Sequence, residues 1–216
     1  MWKTTEQLRN WKGSFGNEYT KRNAFSLEEM DEVYKERYGI TRTELNKTFV
    51  GNLNRSIKIL EVGSNIGNQL ANLQKIGFEN LYGIEINSHV VECSKARTSN
   101  INIIQGSAFD IPFKNSYFDL VFTSGVLIHI APSDIEKVLK EIYRSSNKYI
   151  WGFEYYADTY TEVTYRGHDN LLWKTNFARL YLDSFNDLKL VKEERLKYLE
   201  NENIDAMFLI RRRNKK

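Results

Sequence analysis

The chain has 216 residues, 41% hydrophobic and 27% charged, the proportions of a soluble globular protein. That length suits one compact domain with a buried sheet, or a domain plus a small cap, rather than two full-size domains, and the composition excludes wholesale disorder and a collagen-like or coiled-coil chain. Its net charge of +3 rests on one cluster: Arg211, Arg212, Arg213, Lys215 and Lys216 supply five of the 31 basic residues, and without them the 28 Asp and Glu outnumber the rest. Such a tail reads as a solvated terminus more readily than as a site for nucleic acid or anionic lipid.

Cys93 is the only cysteine, so neither an internal disulfide nor a thiolate metal site is expected, and a reducing cytoplasm fits. His89, His129 and His168 are too scattered for a helix-spaced ligand pair, so no metal is expected. Met1-Trp2-Lys3-Thr4-Thr5-Glu6 lacks an apolar signal core, and no stretch approaches the ~18 apolar residues that span a bilayer, so neither export nor membrane insertion is expected.

Residues 1–24 are aromatic and polar, with glycines at 13 and 16, and read as an arm or lid rather than core. Ser26 with Glu29 makes a capping box that opens a helix to about Arg37, stopped at Gly39, and Thr41 with Glu44 repeats the device. From Ile57 the pattern becomes strand, loop, helix, repeated, which predicts a parallel sheet with helices on both faces. Strands are predicted near 57–62, 80–85, 101–104, 118–123 and 147–154. The helices between them fall near 66–76, closed by Gly77, then 88–98 capped by Ser88, and 133–145 opened by Ser133 with Glu136. A tyrosine-rich insertion at about 155–174 leaves the last of these strands where a ligand would lie. A short helix near 175–184 and two strands near 187–199 and 204–212 finish the chain. Residues 1–56 are thus expected to cap a cleft in the domain formed by residues 57–216.

Four segments carry the chemistry: Ile59-Leu60-Glu61-Val62-Gly63-Ser64-Asn65-Ile66-Gly67, then Gly83-Ile84-Glu85, then Gly106-Ser107-Ala108-Phe109-Asp110, then Phe118 to Gly125. Gly63 turns the chain off the first strand, and Gly67 lets the next helix pack closely. A dinucleotide fold would want glycine at the middle position, where Asn65 stands, so a ligand without a pyrophosphate there is expected. Glu85 lies 22 residues after Gly63, suitable for both hydroxyls of a ribose. Ile86 can cover an adenine face, Ser107 and Ala108 can read its edge, and Ser124 with Gly125 end the fourth strand beside the reaction centre.

These segments, from Ile57 to Glu154, resemble a class I S-adenosylmethionine-dependent methyltransferase. The resemblance implies an α/β, Rossmann-like, seven-stranded mixed sheet whose last strand is antiparallel. It places Glu61, Gly63, Ser64, Asn65 and Gly67 around the methionine part of the cofactor, Glu85 on the ribose, and Ser107 with Ala108 at the adenine. Aspartate is commoner at position 107 in such enzymes; serine keeps an acceptor and loses the charge. A narrower resemblance, carried by Trp11-Lys12-Gly13-Ser14-Phe15-Gly16-Asn17-Glu18-Tyr19-Thr20-Lys21-Arg22-Asn23, Glu154-Tyr155-Tyr156, Tyr165-Arg166-Gly167-His168 and Lys174, is to the methylases associated with pseudaminic acid biosynthesis. It implies a small acidic nonulosonic sugar, free or nucleotide-linked, as acceptor.

Methyl transfer from a sulfonium needs alignment and exclusion of water, and a hydroxyl acceptor also needs a base. Glu154, His129 and His168 are the candidate bases, with Tyr155 or Tyr156 as partner of Glu154; a strand-end carboxylate and a structural histidine are the competing readings. Arg166 is expected to hold the acceptor's anion through its fork, between Tyr165 and Lys174, unless it makes only a surface ion pair. The arm, with Trp11, Tyr19 and Arg22, either closes the cofactor cleft or packs on a neighbouring helix. Methylation of another small metabolite is the runner-up; a nucleic-acid methyltransferase using the basic tail is a different class, disfavoured by the lack of an Asn/Asp-Pro-Pro-Tyr/Phe motif, and a cofactor-binding protein without catalysis is a third. The oligomeric state is not encoded in any pattern.

Overall fold

The computed structural model describes residues 5–213; residues 1–4 of the N-terminal segment, and Lys215 and Lys216 of the basic cluster, lie outside the described residues. The arm is helical: α1 (Glu6–Lys12) is capped by the Thr5 hydroxyl, which accepts from Leu8 N–H, and α2 (Ser14–Arg22) follows after Gly13. Both expected capping boxes form, at Ser26 with Glu29 before α3 (Leu27–Tyr38) and at Thr41 with Glu44 before α4 (Arg42–Val50). Gly39 ends α3 at φ 76°, the left-handed conformation that a β-carbon disfavours.

The parallel core is β1 (Lys58–Val62), α5 (Asn68–Lys75), β2 (Asn80–Glu85), α6 (Ser88–Arg97), β3 (Ile101–Gln105), β4 (Phe118–Ser124), α7 (Ile135–Ser145) and β5 (Ser146–Tyr155). Within the insertion, β6 (Thr161–Glu162) pairs with β7 (Trp173–Lys174), and α8 (Phe177–Ser184), β8 (Leu188–Lys197) and β9 (Ile204–Arg212) complete the chain. The seven-stranded sheet has the order β3-β2-β1-β4-β5-β9-β8, with β9 antiparallel to both neighbours. Consecutive residues on β1 show why the strands are apolar throughout. Ile59 packs with Leu45, Phe49 and Leu70 on one face, while Leu60 packs with Val138, Leu139 and Tyr181 on the other. Each such fully buried side chain contributes roughly 1.5–3 kcal/mol of transfer free energy, and burial on both faces is the rule for a parallel sheet.

Two caps differ from expectation. Asn87, not Ser88, caps α6, because its side-chain oxygen reaches the amides of His89 and Val90 at 3.0 and 3.4 Å. The Ser133–Glu136 box does not form, and Asp134 sits at the cap of α7 without a side-chain capping bond. Entry is made by a backbone turn instead, with the Asp134 and Ile135 amides both donating to Ala131 O, and Glu136 pairs with Lys140.

This topology brings the C-terminal ends of β1, β2, β4 and β5 to one edge. The start of β9 joins them, Asp205 standing across from Tyr155. Ligands of open α/β sheets bind at that edge.

Candidate active site

At this edge the structure has a cleft of about 460 Å³, within the size range of small-molecule sites. Its floor is the β1–α5 turn. Gly63, Asn65 and Gly67 have φ of 74°, 48° and 85°, and the amides of Gly63 and Ser64 both donate to Ile84 O. A β-carbon on Gly63 would lie 2.6 Å from a Val126 methyl, so glycine is required for contact as well as conformation. Asn65 tolerates the left-handed region and is held there from two sides. Its amide donates to Glu85 Oε2 at 3.0 Å, and its side-chain oxygen accepts from the Thr20 hydroxyl at 2.8 Å.

Glu85 also accepts from the Asn87 amide through Oε1, at 2.9 Å. Burial pushes its carboxyl up, opposed by the amides of Asn87, Asn65 and Ile86. Asn87 links the arm to the sheet, donating to Trp11 O and Asn17 Oδ1. Sequence reasoning missed Asn87; the signal was there, an asparagine immediately before an expected helix.

Glu61 is 2% exposed, and its Oε2 has no hydrogen-bond partner. Burial drives its pKa well above the usual carboxylate range, with Arg42 and Glu85 as the nearby charges. Arg42 is fully buried, donating to Asn46 Oδ1 and to the Tyr34 hydroxyl, with its guanidinium 4.6 Å from the Phe153 ring centre. The sequence showed Arg42 only as the first residue of a helix.

Ser107 does not line the cleft. It is fully buried and its hydroxyl accepts from the Phe109 amide at 3.2 Å, closing the turn, so Gly106, Ala108 and Phe109 face the cavity in its place. Gly67 also lies off the lining; a β-carbon there would meet Ile103 at 2.8 Å, so its role is close helix–strand packing. Ile86, Ser124 and Gly125 do line the cleft. Gly125, at φ 66°, has open space where its β-carbon would be.

The candidate bases separate. Glu154 is 1% exposed and off the cleft, its oxygens accepting from the Val126 amide at 3.3 Å and the Ile128 amide at 3.5 Å. Burial raises its pKa to about 7 against the Thr123 hydroxyl and the amides of Val126, Leu127 and Ile128. It therefore holds the 126–128 turn in place and has no free face toward a ligand. His129 does line the cleft, with Nδ1 2.7 Å from Leu171 O. A carbonyl only accepts, so Nδ1 carries the proton and Nε2 is left as an acceptor. Burial lowers its pKa to about 4, partly offset by Leu171, so the ring is neutral near pH 7. His168 is exposed, off the cleft, with its ring 5.4 Å from Phe15.

Trp11 and Tyr19 form a wall of the cleft, the Trp11 ring 4.5 Å from His129 and 5.2 Å from Tyr19, whereas Arg22 is exposed and off it. Tyr165 and Arg166 line the mouth, on a turn closed by mutual backbone bonds between Tyr165 and His168. Tyr155 lines the cleft, but Tyr156 faces away, its hydroxyl on Asp158 and its ring under Arg195. Lys174 donates to Asn203 instead of facing the cavity. The inner wall, absent from the sequence reading, is Tyr34, Arg37, Tyr38, Phe153 and Asp205. Among the described residues no group of three or more His, Cys, Asp or Glu could hold a metal ion, and no helix is long and apolar enough to cross a membrane.

Residues 60–148 match the family model described as a methyltransferase domain. Phosphoethanolamine N-methyltransferase of Plasmodium falciparum is 24% identical over 156 residues, 62% of this chain and 59% of that protein, so the chain spans less than two thirds of that relative's length. Among solved structures, an S-adenosylmethionine-dependent methyltransferase from Leishmania major aligns with a TM-score of 0.70 at 20% identity, covering 96% of this chain and 87% of that one. The Burkholderia thailandensis 1,6-didemethyltoxoflavin-N1-methyltransferase, with its substrate and S-adenosylhomocysteine bound, aligns with a TM-score of 0.66 at 11% identity, covering 99% and 93%. Over residues 60–148 the chain matches a methyltransferase domain, and it shares the fold of an enzyme solved with S-adenosylhomocysteine, the demethylated form of S-adenosylmethionine. The donor set fits it. Glu61 Oε2 and Ser64 Oγ are buried polar atoms without partners, and the Glu85 carboxylate, accepting from the amides of Asn65, Asn87 and Ile86, keeps acceptor capacity for a hydroxyl.

Proposed function

We propose that the chain transfers a methyl group from S-adenosylmethionine to a small acidic sugar or sugar nucleotide of the nonulosonic, pseudaminic acid type, in the cytoplasm, during surface glycan synthesis. When bound, the cofactor supplies an electrophilic methyl on a sulfonium. Glu85 would hold the ribose hydroxyls, Glu61 and Ser64 the methionine end, and Ile86, Ala108 and Phe109 the adenine. Trp11 and Tyr19 close the cleft and keep water out. His129, neutral with Nε2 as acceptor, can take a hydrogen bond from the acceptor group.

The observation that supports an anionic acceptor is Arg166. It lines the mouth of the cleft and makes no ion pair among the described residues. The turn carrying it, with Arg166 at φ 52° and Gly167 at φ 78°, sets an exposed cation beside the cleft, its guanidinium 5.8 Å from the Tyr165 ring centre. Nothing comparable supports nucleic acid. A second reading, methylation of a small phosphate-bearing amine, draws on the named activity of the Plasmodium relative.

The test is incubation with S-adenosylmethionine and free or CMP-linked nonulosonic acids, read by mass spectrometry for a product heavier by one methylene. The Arg166→Ala variant should raise KM for the acid roughly 10-fold or more, the scale of a charge-assisted pair, with cofactor affinity unchanged. No product from any acid, with cofactor binding intact, refutes the sugar reading.

A further inference from the structure

The inner wall of the cleft has a carboxylate that the cofactor assignment leaves unused. Asp205 is 1% exposed, its Oδ2 accepting from the hydroxyls of Tyr38 and Tyr198 while Oδ1 has no partner. We propose that this inner lobe is the acceptor's hydroxyl-reading site, where Asp205 accepts a hydrogen bond from a sugar hydroxyl; the proposal rests on the methyl-transfer reading above.

Three observations carry it. The first is the orphaned oxygen: an unmade hydrogen bond at a buried carboxylate is costly, and an incoming donor recovers it. The second is position. Asp205 stands opposite Tyr155 at the end of β5, and β5 pairs with β4, which leads into Gly125. The same cavity joins Asp205 to Gly63, Glu85 and Gly125. The third is the local charge. Arg37 lies 5.2 Å from the Tyr198 ring centre, and Arg42 lies 4.6 Å from Phe153 and 5.3 Å from Tyr34.

These two arginines already occupy the aromatic faces that would attract a cation. Among the described residues the acids near them are Asp205 and Glu61, with Glu85 beside Glu61, all pushed by burial toward their protonated forms, and Lys174 is a further cation near Asp205. The lobe has no surplus negative charge for an ammonium group, and the unpaired Oδ1 gives an anion no donor. A neutral donor fits both facts. Sugar rings present hydroxyls at their edge and C–H bonds on their faces, matching one free acceptor set among Tyr34, Tyr38, Phe153 and Tyr155. Arg166 is then left to the acid group at the mouth, so the two ends of one acidic sugar are read by separate residues.

The experiment is saturation-transfer NMR on the full chain saturated with S-adenosylhomocysteine, using N-acetylneuraminic acid, neutral N-acetylmannosamine and ethanolamine as probes. Asp205→Asn keeps an oxygen for the two tyrosines but places an N–H donor where Oδ1 stood. Both sugars should bind the wild type and weaken roughly 10–100-fold in Asp205→Asn, the scale of a buried polar group left unpaired, with S-adenosylhomocysteine affinity unchanged. If that variant no longer binds S-adenosylhomocysteine, Asp205→Ser is read in its place with the same expectation. Equal sugar binding by wild type and variant overturns the role of Asp205 while leaving the acidic-sugar reading intact. Binding of the neutral sugar without the acid supports the lobe and sinks the acidic acceptor. Preference for ethanolamine overturns the hydroxyl class, and binding of no probe beside bound S-adenosylhomocysteine overturns both proposals.

Discussion

Replacing Glu154 by glutamine should change how stability responds to pH. Burial raises this carboxyl from 4.5 to about 7, so between those values the folded protein keeps a proton that the unfolded chain has released. Folding then binds protons, and stability falls as pH rises through the window. At ~1.4 kcal/mol for each pH unit between the two values, ionisation costs the wild type about 3 kcal/mol by pH 8, and nothing well below pH 4.5. Glutamine carries no such proton. Its amide end faces a backbone N–H at Val126 or Ile128, so the variant has a cost of its own that does not vary with pH. Urea denaturation of both proteins from about pH 4.5 to 8 measures the difference. The wild-type advantage should shrink by about 3 kcal/mol across the range; Glu61, Glu85 and Asp205, also raised by burial, act alike in both proteins and cancel. Parallel curves would refute the claim that Glu154 is a protonatable strut beneath the 126–128 turn.

Gly63→Ala and Gly125→Ala share a left-handed φ but not a neighbourhood. The first should lose about 1–3 kcal/mol more, from its contact with Val126, and melt several degrees below the second in calorimetry. Equal melting temperatures would count against that contact. Trp11→Ala uncovers His129, so the ring's pKa should climb from about 4 toward its ordinary 6.5 in an NMR titration; an unmoved titration would mean that Trp11 does not shield it. Glu85→Gln replaces one acceptor oxygen with a donor facing an amide, and should weaken S-adenosylhomocysteine binding roughly 10–100-fold in titration calorimetry, a result that normal affinity would contradict.

The sheet was legible because strands buried on both faces read as unbroken apolar runs, and the helices were legible where Gly77 follows α5 and where two capping boxes open α3 and α4 ahead of the sheet. The cofactor half of the site was legible for a related reason: its residues sit in the loops just after strands, so short segments carry them. Ser107 shows the limit of such segments, since a hydroxyl that suits an adenine edge suits a tight turn equally well. Glu154 and His168 show another: their residue types suit a base, but a strand buried on both faces encloses one and a surface turn exposes the other. The inner lobe had no local signature at all. Tyr38 and Asp205 are 167 residues apart in sequence, and Arg42 and Glu61 meet only because α4 packs across β1. No periodicity links such pairs.

The arm is bound to the same loops that form the floor. Thr20 donates to Asn65, Asn87 donates to Trp11 and Asn17, and Asn68 donates to Asn23. Lifting the arm off those loops breaks several of these bonds together. The expectation is that a gate fastened to its own threshold opens more slowly than a loose loop would, so that departure of the spent cofactor, not bond-making, sets the slow step of the cycle. The signature would be a burst: one rapid equivalent of methylated product per site, followed by slower steady turnover. A linear time course from the first turnover would show that the arm opens faster than the methyl moves.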